Sequence, residues 1–119
     1  MSIKVFGIKN CTTMKKTFQL LEKKGIAYQF IDYKKVKPSM ELLNDFLGQA
    51  DLAALINKRG TTFKKLSTDQ KALLENQDTA LPILTENSSM IKRPILQFAD
   101  GQIVVGLLEE KILDMAKSK

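Results

Sequence analysis

The chain has 119 residues, of which 44% are hydrophobic and 27% are charged. This composition is typical of one globular domain and excludes a disordered or fibrous chain. A single cysteine and the absence of histidine exclude an internal disulfide and argue against a zinc, haem or iron–sulfur site. No apolar run is long enough to cross a bilayer, and the first residues have no signal-peptide core. We therefore expect a cytoplasmic protein that makes no membrane contact.

The net charge of +6 is compatible with nucleic acid, an acidic protein or a small anion as a partner. The lysines are scattered, mostly in pairs, which is typical of solvated faces, and no nucleic-acid-binding motif accompanies them. Among the 19 basic residues, the arginines are Arg59 and Arg93. An arginine presents a planar fork that binds an oxyanion at two points, and two structural ion pairs are the alternative.

The first third of the chain predicts a β-α-β unit. Residues 3–8 form an apolar run that indicates a buried strand. A helix begins near Thr12, carries Met14, Phe18 and Leu21 on one apolar face, and ends at Gly25. Residues 28–33 alternate like a second strand, and the crossover implies a parallel, right-handed pair.

The rest of the chain predicts helices, then a hairpin, then a helix. Pro38 and Ser39 begin the second helix, and residues 51–88 indicate short helices that a polar loop at residues 59–62 interrupts. Further elements are strands at 95–99 and 102–105, a turn at Asp100-Gly101, and a last helix at 109–117. This order predicts an α/β, thioredoxin-like fold in one domain, residues 1–119. The sheet would be mixed and four-stranded, and the helical insertion would span about residues 39–90. We expect a monomer.

Cys11 lies where the first predicted strand meets the first predicted helix. Free N–H groups and the positive end of the helix dipole favour a thiolate at such a position. Ligands bind beyond the carboxyl ends of parallel strands in folds of this type, so Cys11 belongs to that crevice. The alternative is that Cys11 is a small, inert, buried side chain.

Four segments of the sequence resemble one family over nearly the whole length of the chain. They lie at residues 7–16 (GIKNCTTMKK), 57–66 (NKRGTTFKKL), 91–96 (IKRPIL) and 105–106 (VG). On these motifs the chain is similar to the arsenate reductase (ArsC) superfamily. It is most similar to the small YffB-type branch, and less similar to true arsenate reductases and to the related Spx transcriptional regulators.

The resemblance implies a thioredoxin-like sheet with a helical insertion, and thiol chemistry coupled to glutathione or glutaredoxin. It makes Cys11 the nucleophile, assigns Arg59 and Arg93 to oxyanion binding, and makes Pro94 the cis-proline beside the cysteine. We add the neighbours of the cysteine as candidate substrate-binding residues: Lys9, Asn10, Thr12 and Thr13. Taken singly, the last three are also ordinary helix-capping residues.

Two positions depart from the family pattern. The third oxyanion arginine of true arsenate reductases would fall near Gly106, where the chain has no arginine. A missing charged hydrogen bond of this kind costs about 1.5–3 kcal/mol, so the sequence disfavours arsenate. Redox-sensing Spx proteins have a second cysteine where this chain has Met14, so an outside thiol must resolve any adduct on Cys11.

The sequence therefore predicts a glutathione- or glutaredoxin-dependent thiol reductase with one nucleophilic cysteine. Its expected partners are glutathione, glutaredoxin or thioredoxin, and its substrate is a small anion or a disulfide. No bound cofactor or metal is expected. The alternative function is a non-enzymatic regulator that binds RNA polymerase, as Spx proteins do. A degenerate family member with an inert Cys11 is a third interpretation.

Overall fold

The computed structural model describes residues 3–9 and 11–118. These residues fold into two compact units. The first unit contains the described residues up to Tyr33 and those from Arg93 onward, and the second contains Lys34–Lys92. The predicted helical insertion, about residues 39–90, lies inside the second unit.

Helices and strands follow each other in an order close to the predicted one. In chain order they are β1 (Ile3–Gly7), α1 (Thr12–Lys23), β2 (Tyr28–Asp32), α2 (Met40–Leu47), α3 (Leu52–Leu55), α4 (Thr61–Lys64), α5 (Thr68–Leu73), α6 (Gln77–Glu86), a 3-10 turn (Ser88–Met90), β3 (Ile95–Gln97), β4 (Ile103–Val105) and α7 (Glu109–Ser118).

The first unit is built on a mixed sheet, as predicted. Within the described residues the sheet has four strands in the order β2-β1-β3-β4. The pair β1 and β2 is parallel, whereas β3 runs antiparallel to both β1 and β4. Because β1 is a central strand, its residues are buried, with Lys4 as the one exposed position among Ile3–Gly7. The α/β, thioredoxin-like fold class is therefore confirmed.

Helix α1 packs on this sheet through a face that differs slightly from the predicted one. Met14 and Leu21 are fully buried, and so is Thr17, whose Oγ1 donates to the Thr13 carbonyl oxygen at 2.8 Å. Phe18 is only partly buried. Its ring stacks on that of Tyr28 at a centroid distance of 5.4 Å. The internal hydrogen bond lets Thr17 occupy a buried position that its polarity argued against.

The second unit is helical in its described residues, as the absence of a strand pattern predicted. Ser39 caps α2 by accepting the Leu42 N–H at 3.1 Å, and Ser67 caps α5 in a capping box. One expectation is wrong in detail, since the polar loop predicted at 59–62 gives way to α4. The Lys64 N–H donates to the Gly60 carbonyl oxygen at 3.2 Å and closes this turn.

The hairpin has shorter strands than predicted, but its turn is in the predicted place. Gly101 has φ of 90°, a left-handed conformation that favours glycine. The Gln102 N–H donates to Asp100 Oδ1 at 3.1 Å, and the Phe98 N–H donates to the Gln102 carbonyl oxygen at 2.9 Å. No helix in the described residues is long and apolar enough to cross a membrane.

Candidate functional site

Cys11 lies between the end of β1 and the start of α1, where it occupies the N-cap position. Its backbone is extended, with φ of −145° and ψ of 133°. The Lys15 N–H donates to the Cys11 carbonyl oxygen at 3.0 Å, which begins the helical hydrogen bonds. The Cys11 N–H donates to the Lys9 carbonyl oxygen at 3.2 Å. Cys11 is half-buried, so it remains partly accessible to solvent.

The surroundings of the Cys11 sulfur lower the pKa of the thiol. Burial raises this pKa, but the Met14 N–H, the Arg93 side chain and the Thr13 N–H lower it further than burial raises it. The positive charge of Arg93 adds to the effect. The sulfur makes no capping hydrogen bond of ordinary geometry, and the Met14 and Thr13 N–H groups lower the thiol pKa as weaker hydrogen-bond donors. Cys11 is therefore poised to react as a thiolate.

Gly7, the last residue of β1, lets two of these groups approach the site. A Cβ atom at Gly7 would lie 2.5 Å from Met14 Sδ and 3.5 Å from Arg93 Cβ. The Met14 side chain is fully buried and fixes the first turn of α1 against the core of this unit. Close packing at Gly7 thus sets the position of the Met14 N–H relative to Cys11.

Arg93 is held by the strand that follows it. The Arg93–Pro94 peptide bond is cis, as the resemblance implied. Directly after it, Ile95 begins β3 and pairs with Phe6 of β1. Arg93 is half-buried, and its side chain acts on the Cys11 sulfur while part of the residue stays open to solvent.

Gly106 completes this side of the site through its backbone. The Gly106 N–H donates to the Pro94 carbonyl oxygen at 2.7 Å. Gly106 is buried and has φ of 90°. An arginine there would be forced into a left-handed conformation that costs about 1–2 kcal/mol. The position near which the third oxyanion arginine was expected therefore suits glycine.

The remaining candidate residues fall in different places. Thr13 contributes its N–H and is half-buried, whereas Lys9 and Thr12 are exposed. Asn10 lies outside the described residues. Arg59 belongs to the second unit, where it is exposed and its N–H donates to Asn57 Oδ1 at 3.3 Å.

Sequence reasoning missed the contribution of Gly7, and it predicted free N–H groups at the start of the helix without singling out Met14. The signal for Gly7 was weak: it was a glycine at the end of an otherwise apolar, side-chain-rich strand, which can mark a close approach of another group. The signal for Met14 was its place three residues after the cysteine. That spacing directs its N–H toward an N-cap side chain.

The site offers a nucleophile, hydrogen-bond donors and a cation. The described residues contain no group of three or more metal-ligating His, Cys, Asp or Glu side chains, and the sequence has no histidine to act as a base. The lowered pKa of Cys11 increases its thiolate fraction, and a thiolate needs no base before it attacks. The arrangement can therefore perform thiolate substitution on an electrophile or a disulfide.

Comparison with known proteins gives matches along almost the whole chain. The model of the ArsC family matches residues 6–115. An uncharacterised protein of Haemophilus influenzae is 37% identical over 109 residues, which cover 92% of this chain and 94% of that protein. A protein named arsenate reductase in Neisseria meningitidis is 28% identical over 113 residues, with the same coverage of 92% and 94%.

Solved structures agree with these matches. The structure of the YFFB protein superposes with a TM-score of 0.88 at 35% identity, covering 95% of this chain and 97% of that one. An arsenate reductase (ArsC) related protein from Brucella melitensis gives a TM-score of 0.77 at 39% identity, covering 96% of this chain and 93% of that one.

Proposed function

Because the chain belongs to the ArsC family, we propose that it is a glutathione-dependent thiol reductase in which Cys11 is the nucleophile. One observation carries the proposal: the Cys11 sulfur faces the Met14 and Thr13 N–H groups and the Arg93 side chain, which lower its pKa. An inert, buried cysteine would have its pKa raised instead. We propose a cytoplasmic location as well, because a glutathione-coupled thiol needs a reducing compartment.

The reaction on a disulfide substrate proceeds in three exchanges. The Cys11 thiolate attacks one sulfur, a mixed disulfide forms on Cys11, and the other substrate sulfur leaves as a thiolate that takes a proton from water. A glutathione thiolate then attacks the substrate sulfur of the mixed disulfide and releases Cys11 as a thiolate. A second glutathione reduces the released mixed disulfide, so two glutathione molecules supply the two electrons. Glutaredoxin or thioredoxin could supply the same electrons.

Arg93 serves two purposes in this proposal. Its charge favours the thiolate before attack, and its fork binds a carboxylate of glutathione or an anionic substrate beside the sulfur. Arg59 is proposed as a second anion-binding residue on the basis of its family motif. Arsenate is a poorer substrate in this scheme, because the chain has glycine at position 106, near which the third oxyanion arginine would fall.

The first test is the rate of Cys11 alkylation by iodoacetamide as a function of pH, with and without glutathione. We expect the rate to rise at a lower pH than it does for an unperturbed thiol. The reason is that the lowered pKa keeps the thiolate present at that lower pH. Glutathione should slow the reaction, and Cys11→Ser should abolish labelling. An ordinary pH profile without protection by glutathione would refute the proposal.

The second test compares Arg93→Lys with Arg59→Lys in the same assay. Lysine keeps the charge but loses the planar fork, so Arg93→Lys should weaken protection by glutathione and shift the pH profile of Cys11 upward. We expect Arg59→Lys to leave that pH profile unchanged, because the groups that lower the pKa of Cys11 belong to Met14, Thr13 and Arg93. Identical profiles and protection for wild type and Arg93→Lys would remove Arg93 from the site.

A further inference from the structure

A groove runs along helices α1 and α7 on the first unit. It consists of two cavities, one of about 390 Å³ and one of about 230 Å³. Both cavities are lined by Lys24 and Leu113, so they adjoin each other. Neither is lined by Cys11 or Arg93. The groove is therefore a feature separate from the thiol site, and the proposed function leaves it unexplained.

The groove has an apolar floor and a basic rim. The floor consists of Leu20, Ile26, Leu107, Leu113 and Ala116, and the rim consists of Lys16, Lys23, Lys24 and Lys117. Leu108, which follows Leu107 in the chain, is 50% exposed. The four lysines are opposed by one acidic lining residue, Glu109, which lines the larger cavity.

The rim charges are available to a partner. All four rim lysines are exposed. Within the described part of the chain, none of them forms an ion pair. Unneutralised cations around an apolar floor attract a ligand that is apolar on one side and acidic on its flanks. A groove lined by two helices also has the shape that receives the side-chain ridge of a third helix.

We propose that this groove binds an acidic amphipathic helix of a partner protein. Helix α1 has 12 residues and α7 has 10, which correspond to about 18 and 15 Å of helix. A partner helix of about three turns would match these lengths. Its apolar residues at i, i+3, i+4 and i+7 would fill the floor, and acidic residues beside them would meet the lysine rim.

Two other occupants fit the groove less well. Nucleic acid would meet the lysines, but the floor offers leucines, isoleucine and alanine where single-stranded bases require aromatic platforms. An anionic membrane surface would also meet the lysines, but it is flat and would leave a concave floor unfilled. Both occupants are outcomes that the experiment below can detect.

The test uses a synthetic, fluorescein-labelled peptide of about 14 residues, with leucines on one helical face and glutamates on its flanks. Its binding to the full chain is followed by fluorescence anisotropy. We expect saturable binding that Lys16→Glu with Lys23→Glu weakens by about tenfold or more, since the rim charges are reversed. The matched control, Lys64→Glu with Lys65→Glu, makes the same change in net charge at exposed positions in or next to α4 and should leave binding within about twofold.

Several results would overturn the proposal. One is the lack of saturable binding, and another is equal loss of binding in both charge-reversal variants, which would indicate only a long-range field. A third is equal binding of a peptide with the same composition in a scrambled, non-amphipathic order. Displacement of the peptide by phosphatidylserine vesicles or by single-stranded DNA at lower concentration than by unlabelled peptide would assign the groove to that occupant instead.

Discussion

Replacing Gly7 by alanine should reveal how tightly the candidate site is packed. The new Cβ would lie 2.5 Å from Met14 Sδ and 2.6 Å from Met14 Cε, closer than real Cβ contacts. The Met14 side chain is fully buried, so it must move within a filled core. Overpacking of this kind costs about 1–3 kcal/mol, and the flexibility of methionine favours the lower half of that range.

A double-mutant cycle isolates the contact between these two residues. Met14→Ala alone leaves a cavity and should cost about 2–5 kcal/mol. It also removes the atoms that the Gly7→Ala methyl group would strike. In the double variant the new methyl group should fit, so the combined cost should fall short of the sum by about 1 kcal/mol. Urea unfolding, followed by circular dichroism, measures all four free energies of unfolding.

Gly25→Ala provides the matched control for this cycle. Gly25 follows α1, has φ of 68°, and a Cβ built there would meet nothing within 4 Å. Its replacement strains the backbone without touching Met14, so its cost should add to that of Met14→Ala. If the costs of Gly7→Ala and Met14→Ala simply add, as those of Gly25→Ala and Met14→Ala should, the packing argument is refuted.

Three further predictions concern other parts of the chain. Ser39→Ala removes the hydroxyl that accepts the Leu42 N–H and should lower the free energy of unfolding by about 1 kcal/mol; an unchanged urea midpoint would contradict this role. Gly106→Arg should lose about 1–2 kcal/mol through its left-handed backbone and gain no arsenate-dependent turnover in a coupled glutathione assay. A gain would contradict the argument that the backbone at this position excludes a working arginine. A pull-down from cell lysate should return no stoichiometric RNA polymerase subunits, and their recovery would favour the regulator over the enzyme.

The sequence predicts the elements that depend on local patterns. The apolar run before Cys11, the helical spacing after it and the Asp100-Gly101 turn each specify their structure within a few residues, so β1, α1 and the hairpin turn could be placed. The junction position of Cys11 follows from those elements. The family motif adds the cis bond at Pro94, which local patterns alone do not predict.

Features that depend on packing could not be predicted from local patterns. Thr17 is buried because its hydrogen bond to the Thr13 carbonyl offsets the polarity of its hydroxyl group. Phe18, which the apolar pattern placed in the core, is only half-buried. The close approach of Met14 and Arg93 to Gly7 joins residues that are far apart in the chain. The left-handed conformation of Gly106 depends on the path of the chain after β4, and the neighbouring residues do not predict it.

The central position of β1 has a consequence for how the protein folds. One neighbour of β1, the strand β2, follows soon after it in the chain, whereas the other, β3, follows only after the entire second unit. Contacts between distant segments form slowly, since a long loop must close first. During synthesis the segment with Cys11 emerges long before Arg93, so the nascent thiol exists for a time without its cation. The Cys11 thiol therefore reaches its full reactivity only after the last quarter of the chain has joined the sheet.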